Sequence, residues 1–197
     1  MERMPEAEVS LRVAIWLAEH GWARERIEIA IDGAEVRTGH TVHFDPAEFL
    51  RAAGWGTEKT SAEWRGIYRR PKLTTTLRLH SSPGKGDVVA LLTTGRTLWA
   101  ECKKGPMSRS PSSQEYPLIR EALGQLLNLE EVNDKDILAV AVPHSEKFIE
   151  LALRWREAPL IKRLGIGILT VDRNGNVYGF TEERVLGQPD ATKGALF

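Results

Sequence analysis

Residues 86–103 read Gly86-Asp87-Val88-Val89-Ala90-Leu91-Leu92-Thr93-Thr94-Gly95-Arg96-Thr97-Leu98-Trp99-Ala100-Glu101-Cys102-Lys103. Two apolar runs, 87–92 and 97–103, flank a turn signal at 93–96 and predict an antiparallel hairpin. Side chains alternate along a strand, so Glu101 and Lys103 share one face while Cys102 takes the other. Asp87 opens the first strand, and the turn brings its carboxylate beside that of Glu101. Two carboxylates meeting at one place repel each other, and a bound hard cation relieves that repulsion. Mg2+ suits such a pair, because it takes one or two carboxylates and completes its shell with water and phosphate oxygens. A lysine two residues on orients a water or stabilises charge developing on a phosphate. Composition alone supplies about one Glu-x-Lys in a chain of this make-up, so the isolated tripeptide reads as an edge-strand ion-pair ladder. The Gly-Asp before it and the helix after it turn that balance toward a site.

Working outward, Pro5 precedes a helix over 6–20, with Val9, Val13, Ile15, Trp16 and Leu17 apolar and Gly21 as its stop. Ile27, Ile29 and Ile31 alternate before Asp32-Gly33 and predict a hairpin with the run from Val36 to Phe44. Asp45-Pro46-Ala47-Glu48 opens a short helix that ends near Gly54. A strand is expected over Leu73–Leu79. Beyond the central hairpin, residues 104–114 are loop-like, and Tyr116–Leu129 reads as a helix. Ile137–Val142 is a strand apolar enough to be buried on both faces. Residues 145–163 form a further amphipathic helix, and 165–171 with 177–180 a closing hairpin. The expected fold is α/β: a central mixed sheet flanked by helices, in one domain over 1–197, with a basic insertion at about 45–85 and a C-terminal helix and hairpin extension.

At this point the chain resembles the PD-(D/E)XK nuclease superfamily. Its first acidic residue looks like Asp87, here after Gly rather than Pro, and its acidic-x-Lys looks like Glu101-Cys102-Lys103. The segment Ile119-Arg120-Glu121-Ala122-Leu123-Gly124-Gln125-Leu126-Leu127 is similar to helices that follow that motif in several of these families. The resemblance implies a restriction-endonuclease-like core over roughly 6–31 and 73–142. It implies a metal held by Asp87, Glu101 and the Cys102 carbonyl, with Glu8 of the first helix helping and Glu6 as runner-up. Lys103 would position the attacking water or stabilise the phosphate; Gln125, and less directly Arg120, would face the site. The implied activity is Mg2+-dependent hydrolysis of DNA, with Mn2+ able to substitute and with RNA and a homodimer left open. Two other classes remain: an inactive nucleic-acid-binding module of the same fold, and a structural or partner-binding α/β protein.

The chain has 197 residues, and its 27 Lys and Arg equal its 27 Asp and Glu. Neutrality argues against gripping nucleic acid by bulk charge, yet residues 63–109 hold ten bases against three acids. Arg65, Arg69, Arg70, Lys72, Arg78 and Lys85, interleaved with Trp64 and Tyr68, suit phosphate contact and base stacking; Lys104 and Arg109 follow the motif and are expected at the entrance. Pro83-Gly84-Lys85-Gly86 lacks the spacing of a phosphate-binding loop and reads as a turn. The five histidines form no metal pair by spacing. Cys102 and Trp16, Trp22, Trp55, Trp99 and Trp155 read as packing residues. No apolar run approaches the roughly 18–20 residues of a membrane span, and the acidic start MERMPEAEVS is unlike a signal peptide. With one cysteine and no internal disulfide possible, the expected compartment is the cytoplasm.

Overall fold

The computed structural model describes residues 2–32, 36–38, 41–57, 64–82, 84, 86–108 and 114–181. In chain order the elements are β1 (Arg3–Met4), α1 (Glu6–Glu19), β2 (Ala23–Ala30), β3 (Val36–Thr38), β4 (Thr41–Phe44), α2 (Pro46–Ala52), β5 (Gly66–Tyr68) and β6 (Thr76–His80). There follow β7 (Val88–Leu92), β8 (Thr97–Cys102), β9 (Gly105–Pro106), α3 (Glu115–Leu127), β10 (Ile137–Pro143), α4 (Glu146–Arg156), α5 (Pro159–Leu164), β11 (Gly167–Val171) and β12 (Val177–Tyr178).

The predicted central hairpin forms: β7 and β8 pair antiparallel, with Val88 opposite Ala100 and Leu91 opposite Thr97. It is the middle of an eight-stranded mixed sheet of order β12-β11-β10-β8-β7-β2-β6-β5. β10 runs parallel to β8 and to β11, and β2 runs antiparallel to β7 but parallel to β6. α1 packs on one face, where Val9, Val13 and Leu17 meet Leu98, Ala100, Ala139 and Ala141. The opposite face of β8, β10 and β11 is covered by α3 and α4, through Ile119, Ala122, Phe148 and Leu151 against Val140, Val142 and Ile168. β10 thus buries alternate side chains on both faces, as its apolar run predicts. The chain is α/β, with a large mixed central sheet flanked by helices. No described helix is long and apolar enough to cross a membrane.

Three expectations change. Ile27–Ile31 does not form a hairpin with 36–44; β3 and β4 pair with each other as a separate ribbon, and both edges of β2 are taken by β6 and β7. Local turn chemistry at Asp32-Gly33 is outweighed because the alternating Ile27 and Ile29, both fully buried, gain most from a central position in the sheet; Gly33 itself lies outside the described residues. The helix over 145–163 breaks into α4 and α5, because Pro159 cannot donate a backbone bond and instead occupies the first turn of α5. The strand expected from Leu73 starts at Thr76, since Thr75 turns its hydroxyl to donate to the Ala23 carbonyl at 3.0 Å. The segment read as a basic insertion supplies α2 and two sheet strands, β5 and β6.

Candidate active site

Where β7 begins and β8 ends, a cleft of about 1470 Å³ opens between the N-terminus of α1, the ends of β2 and β6, α3, and the turn after β11. The Gly-Asp pair has a structural reason. Gly86 has φ +140°, and a Cβ there would meet the Ala100 carbonyl oxygen at 3.2 Å, so the bare backbone lets β7 start hard against β8. Asp87 then reaches across and accepts the Cys102 N–H at 2.7 Å, while its carbonyl accepts from Ala30 N–H at 2.9 Å. Its backbone is thereby fixed from β2 and its carboxylate from β8. Strand alternation buries Cys102 under α1 and points Glu101 the other way. Lys103 continues that alternation, held by its own N–H to the Ala141 carbonyl at 2.9 Å, and its Nζ donates to Glu101 at 3.1 Å.

The electrostatics follow from this crowding. Burial, reinforced by the nearby Glu101 charge, pushes the Asp87 carboxyl up to about 7, against the opposing bond from Cys102 N–H. Burial also raises Glu101 and Glu6, and in both cases Lys103 offsets part of the rise. Burial pulls Lys103 down, but Glu6 and Glu101 outweigh it and its pKa ends above the ordinary lysine value, so it is a charged ammonium. Burial raises the Cys102 thiol well above its usual range, which leaves it inert as a nucleophile.

Asp87 and Glu101 fit a hard divalent cation: two carboxylates that burial disfavours as anions, with the Glu101 charge adding to the rise at Asp87, so that a cation between them relieves the penalty. Among the described residues no group of three or more His, Cys, Asp and Glu side chains is spaced to chelate a metal. A two-carboxylate site completed by water and phosphate is the Mg2+ pattern rather than the closed cage of Ca2+ or Zn2+.

The structure brings Asp87, Glu101, Lys103, Lys104 and Gln125 to one cleft. It turns Glu8 away. Although Glu8 is only 4% exposed, its Oε1 accepts from Arg12 at 2.8 and 2.9 Å and from Arg173 at 3.2 Å, which occupies it structurally. The acid of α1 that faces the cleft is Glu6, two residues and about 200° around the helix from Glu8. Arg120 stays outside the cleft lining, exposed with its guanidinium 5.6 Å from the Tyr116 ring centre.

None of the described basic residues between 65 and 78 lines the cleft. Arg65 lies over Trp64, and Arg69 is exposed at a bridge to Gly56. Lys72 sits in an exposed turn at φ +72°, and Arg78 on β6 faces Glu28 at 3.4 Å. Arg70 pairs with Glu19, at the opposite end of α1 from Glu6 and so about 20 Å along the helix axis. Lys85 and Arg109 fall outside the described residues. The described bases from Arg65 to Arg78 lie away from the cleft because β5 and β6 lie beyond β2 in the sheet.

Two contributors were not singled out in the sequence. Glu121, whose Oε1 lies 3.6 Å from Lys103 Nζ, stands one turn before Gln125, a spacing that places both on one helix face. Arg173, in the turn after β11, lines the cleft and ties Glu8 to Glu2 and to the Arg3 carbonyl; no local signal marks it, since the contact spans most of the chain. No family model, no curated protein and no solved structure matches this chain, so the chemistry of the cleft itself carries any functional conclusion.

Proposed function

We propose that the protein is a divalent-cation-dependent nuclease that hydrolyses DNA phosphodiester bonds on a restriction-endonuclease-like core. The observation that carries this is the convergence of Asp87, Glu101 and Lys103 in one open cleft at the end of the central hairpin. Asp87, Glu101 and the Cys102 carbonyl would hold Mg2+ or Mn2+, with Glu6 in the place the sequence assigns to Glu8. A bound cation supplies Lewis-acid polarisation of the phosphodiester and a more acidic water at neutral pH. Lys103 presents its ammonium to the phosphate oxygens, where negative charge grows during in-line attack. Gln125 lines the α3 wall, and Lys104 presents a second positive charge to a neighbouring phosphate.

A second reading has its own support: the Glu101–Lys103 pair is a buried ion pair, as a purely structural ladder requires. Incubating the protein with plasmid, linear, branched and single-stranded DNA, and with RNA, with and without Mn2+, separates the two. The nuclease reading expects cleavage that needs Mn2+ or Mg2+ and stops with chelator. Cation binding without cleavage supports an inactive binding module, and no cation binding supports the structural ladder.

The two acids of α1 give a paired prediction. Glu8→Gln removes the buried negative charge that Arg12 and Arg173 share and is expected to lower unfolding stability by about 2–3 kcal/mol with Mn2+ affinity unchanged. Glu6→Gln is expected to weaken Mn2+ binding about tenfold with stability within about 1 kcal/mol of wild type. Urea unfolding and calorimetric titration read the two effects, and the reverse pattern restores Glu8 to the site.

A further inference from the structure

The ammonium of Lys103 sits among carboxylates where a cation would. Its Nζ lies 3.1 Å from Glu101, 3.6 Å from Glu121 and 3.8 Å from Glu6, on a residue only 4% exposed. These three acids come from β8, α3 and α1, so the cage exists only in the folded chain. Its members differ in freedom. The Glu101 side chain is 11% exposed, whereas that of Glu121 is 60% exposed, standing out from a helix whose Ile119, Ala122 and Leu126 are anchored in the core. A dication and an ammonium drawing on the same oxygens repel each other strongly in so poorly solvated a place. The ammonium therefore has to leave Glu101 as the cation arrives, and Glu121 is the acid nearest to it that reaches into solvent.

We propose that Lys103 is the internal counter-ion of this cage, competing with a divalent cation for Glu101 and Glu6, and that Glu121 is the positioning residue that takes over the ammonium when the cation enters. This rests on the reading of the cleft as a divalent-cation site. It gives Lys103 two opposed effects: it resists the cation in the resting protein, and once passed to Glu121 it stands at the cleft wall, free to meet a phosphate. Glu121 acts through Lys103, and its contribution disappears when the lysine is gone.

The test is calorimetric titration of Mn2+ into the full-length protein without nucleic acid. Lys103→Met is expected to bind Mn2+ about tenfold tighter than wild type, and Glu121→Gln about threefold to tenfold weaker, because the ammonium is left on Glu101. In the Lys103→Met background, Glu121→Gln is expected to change affinity little; a merely electrostatic contribution from Glu121 would weaken binding equally in both backgrounds. Lys103→Arg, which keeps the positive charge, is expected to bind like wild type. Thermal unfolding checks that Lys103→Met is folded, and Lys103→Gln, which removes the charge but keeps a polar side chain among the acids, takes its place as the lysine-free background if it is not. Measurable wild-type binding with no gain in Lys103→Met and no loss in Glu121→Gln overturns the competition but leaves the cation site standing. Silence in wild type and in every variant overturns both.

Discussion

Asp87→Ala is expected to lower Mn2+-dependent cleavage of DNA about a thousandfold or more, with the fold retained. Asp87 ties the start of β7 to the end of β8 at the cleft: its carboxylate accepts the Cys102 N–H at 2.7 Å and feels the nearby Glu101 charge. Its removal leaves Glu101 as the sole carboxylate of the hairpin, too little to hold a strongly hydrated dication against water. The structural cost is limited: the substitution leaves the N–H of the buried Cys102 without its acceptor, a loss of about 1–3 kcal/mol, and also removes an acid that burial disfavours. Asp87→Asn is the sharper form, since its amide oxygen still accepts from Cys102 while the charge is gone. Circular dichroism and a cleavage time course on the same preparation separate lost chemistry from lost fold. Wild-type cleavage by either variant ends the assignment of Asp87.

The same substitution is expected to stabilise the cation-free protein at alkaline pH. Burial and the Glu101 charge lift the Asp87 carboxyl from the ordinary 3.8 to about 7, so between those values the folded chain holds a proton that the unfolded chain has released. Stability changes with pH in proportion to the protons bound unfolded minus those bound folded. That difference is negative here, so stability falls as pH rises from about 4 to about 7. Glu101 and Glu6, also raised, add to the fall. Asp87→Asn, which cannot ionise, is expected to be more stable than wild type at pH 8 by up to about 4 kcal/mol and to match it near pH 4. Urea unfolding in the presence of chelator measures this. Saturating Mn2+ is expected to raise wild-type stability at pH 8 and to leave Asp87→Asn nearly unmoved, because only a state that binds the ion gains from it. A flat difference between the two proteins from pH 4 to 8 overturns the crowded-carboxylate account.

How much of this was legible beforehand depends on the range of the interactions involved. The hairpin, with Glu101 and Lys103 on one face and Cys102 on the other, follows from strand alternation and a four-residue turn, and both are local. The buried strand at 137–142 and the Asp45 cap, whose carboxylate accepts from Ala47 and Glu48, are equally local. The exchange of Glu8 for Glu6 was not legible, because both acids lie in the first turn of α1, and beside the local Arg12 Glu8 is held by Arg173, a residue 165 positions away. Glu121 was within reach through its spacing to Gln125, but only the packing of α3 over β8 and β10 puts it beside Lys103.

By itself, the sequence determined which residue types could do chemistry and which strand faces would carry them, because periodicity and turn geometry act over a few residues. Tertiary structure decided which of those residues meet. It placed β2 between β6 and β7 rather than in a hairpin with β3, and it carried Arg70 to the far end of α1. It left Lys103 enclosed by acids from three separate elements. Those outcomes rest on burial of apolar faces and on charge pairing across the whole chain, and no window of a few residues contains both partners.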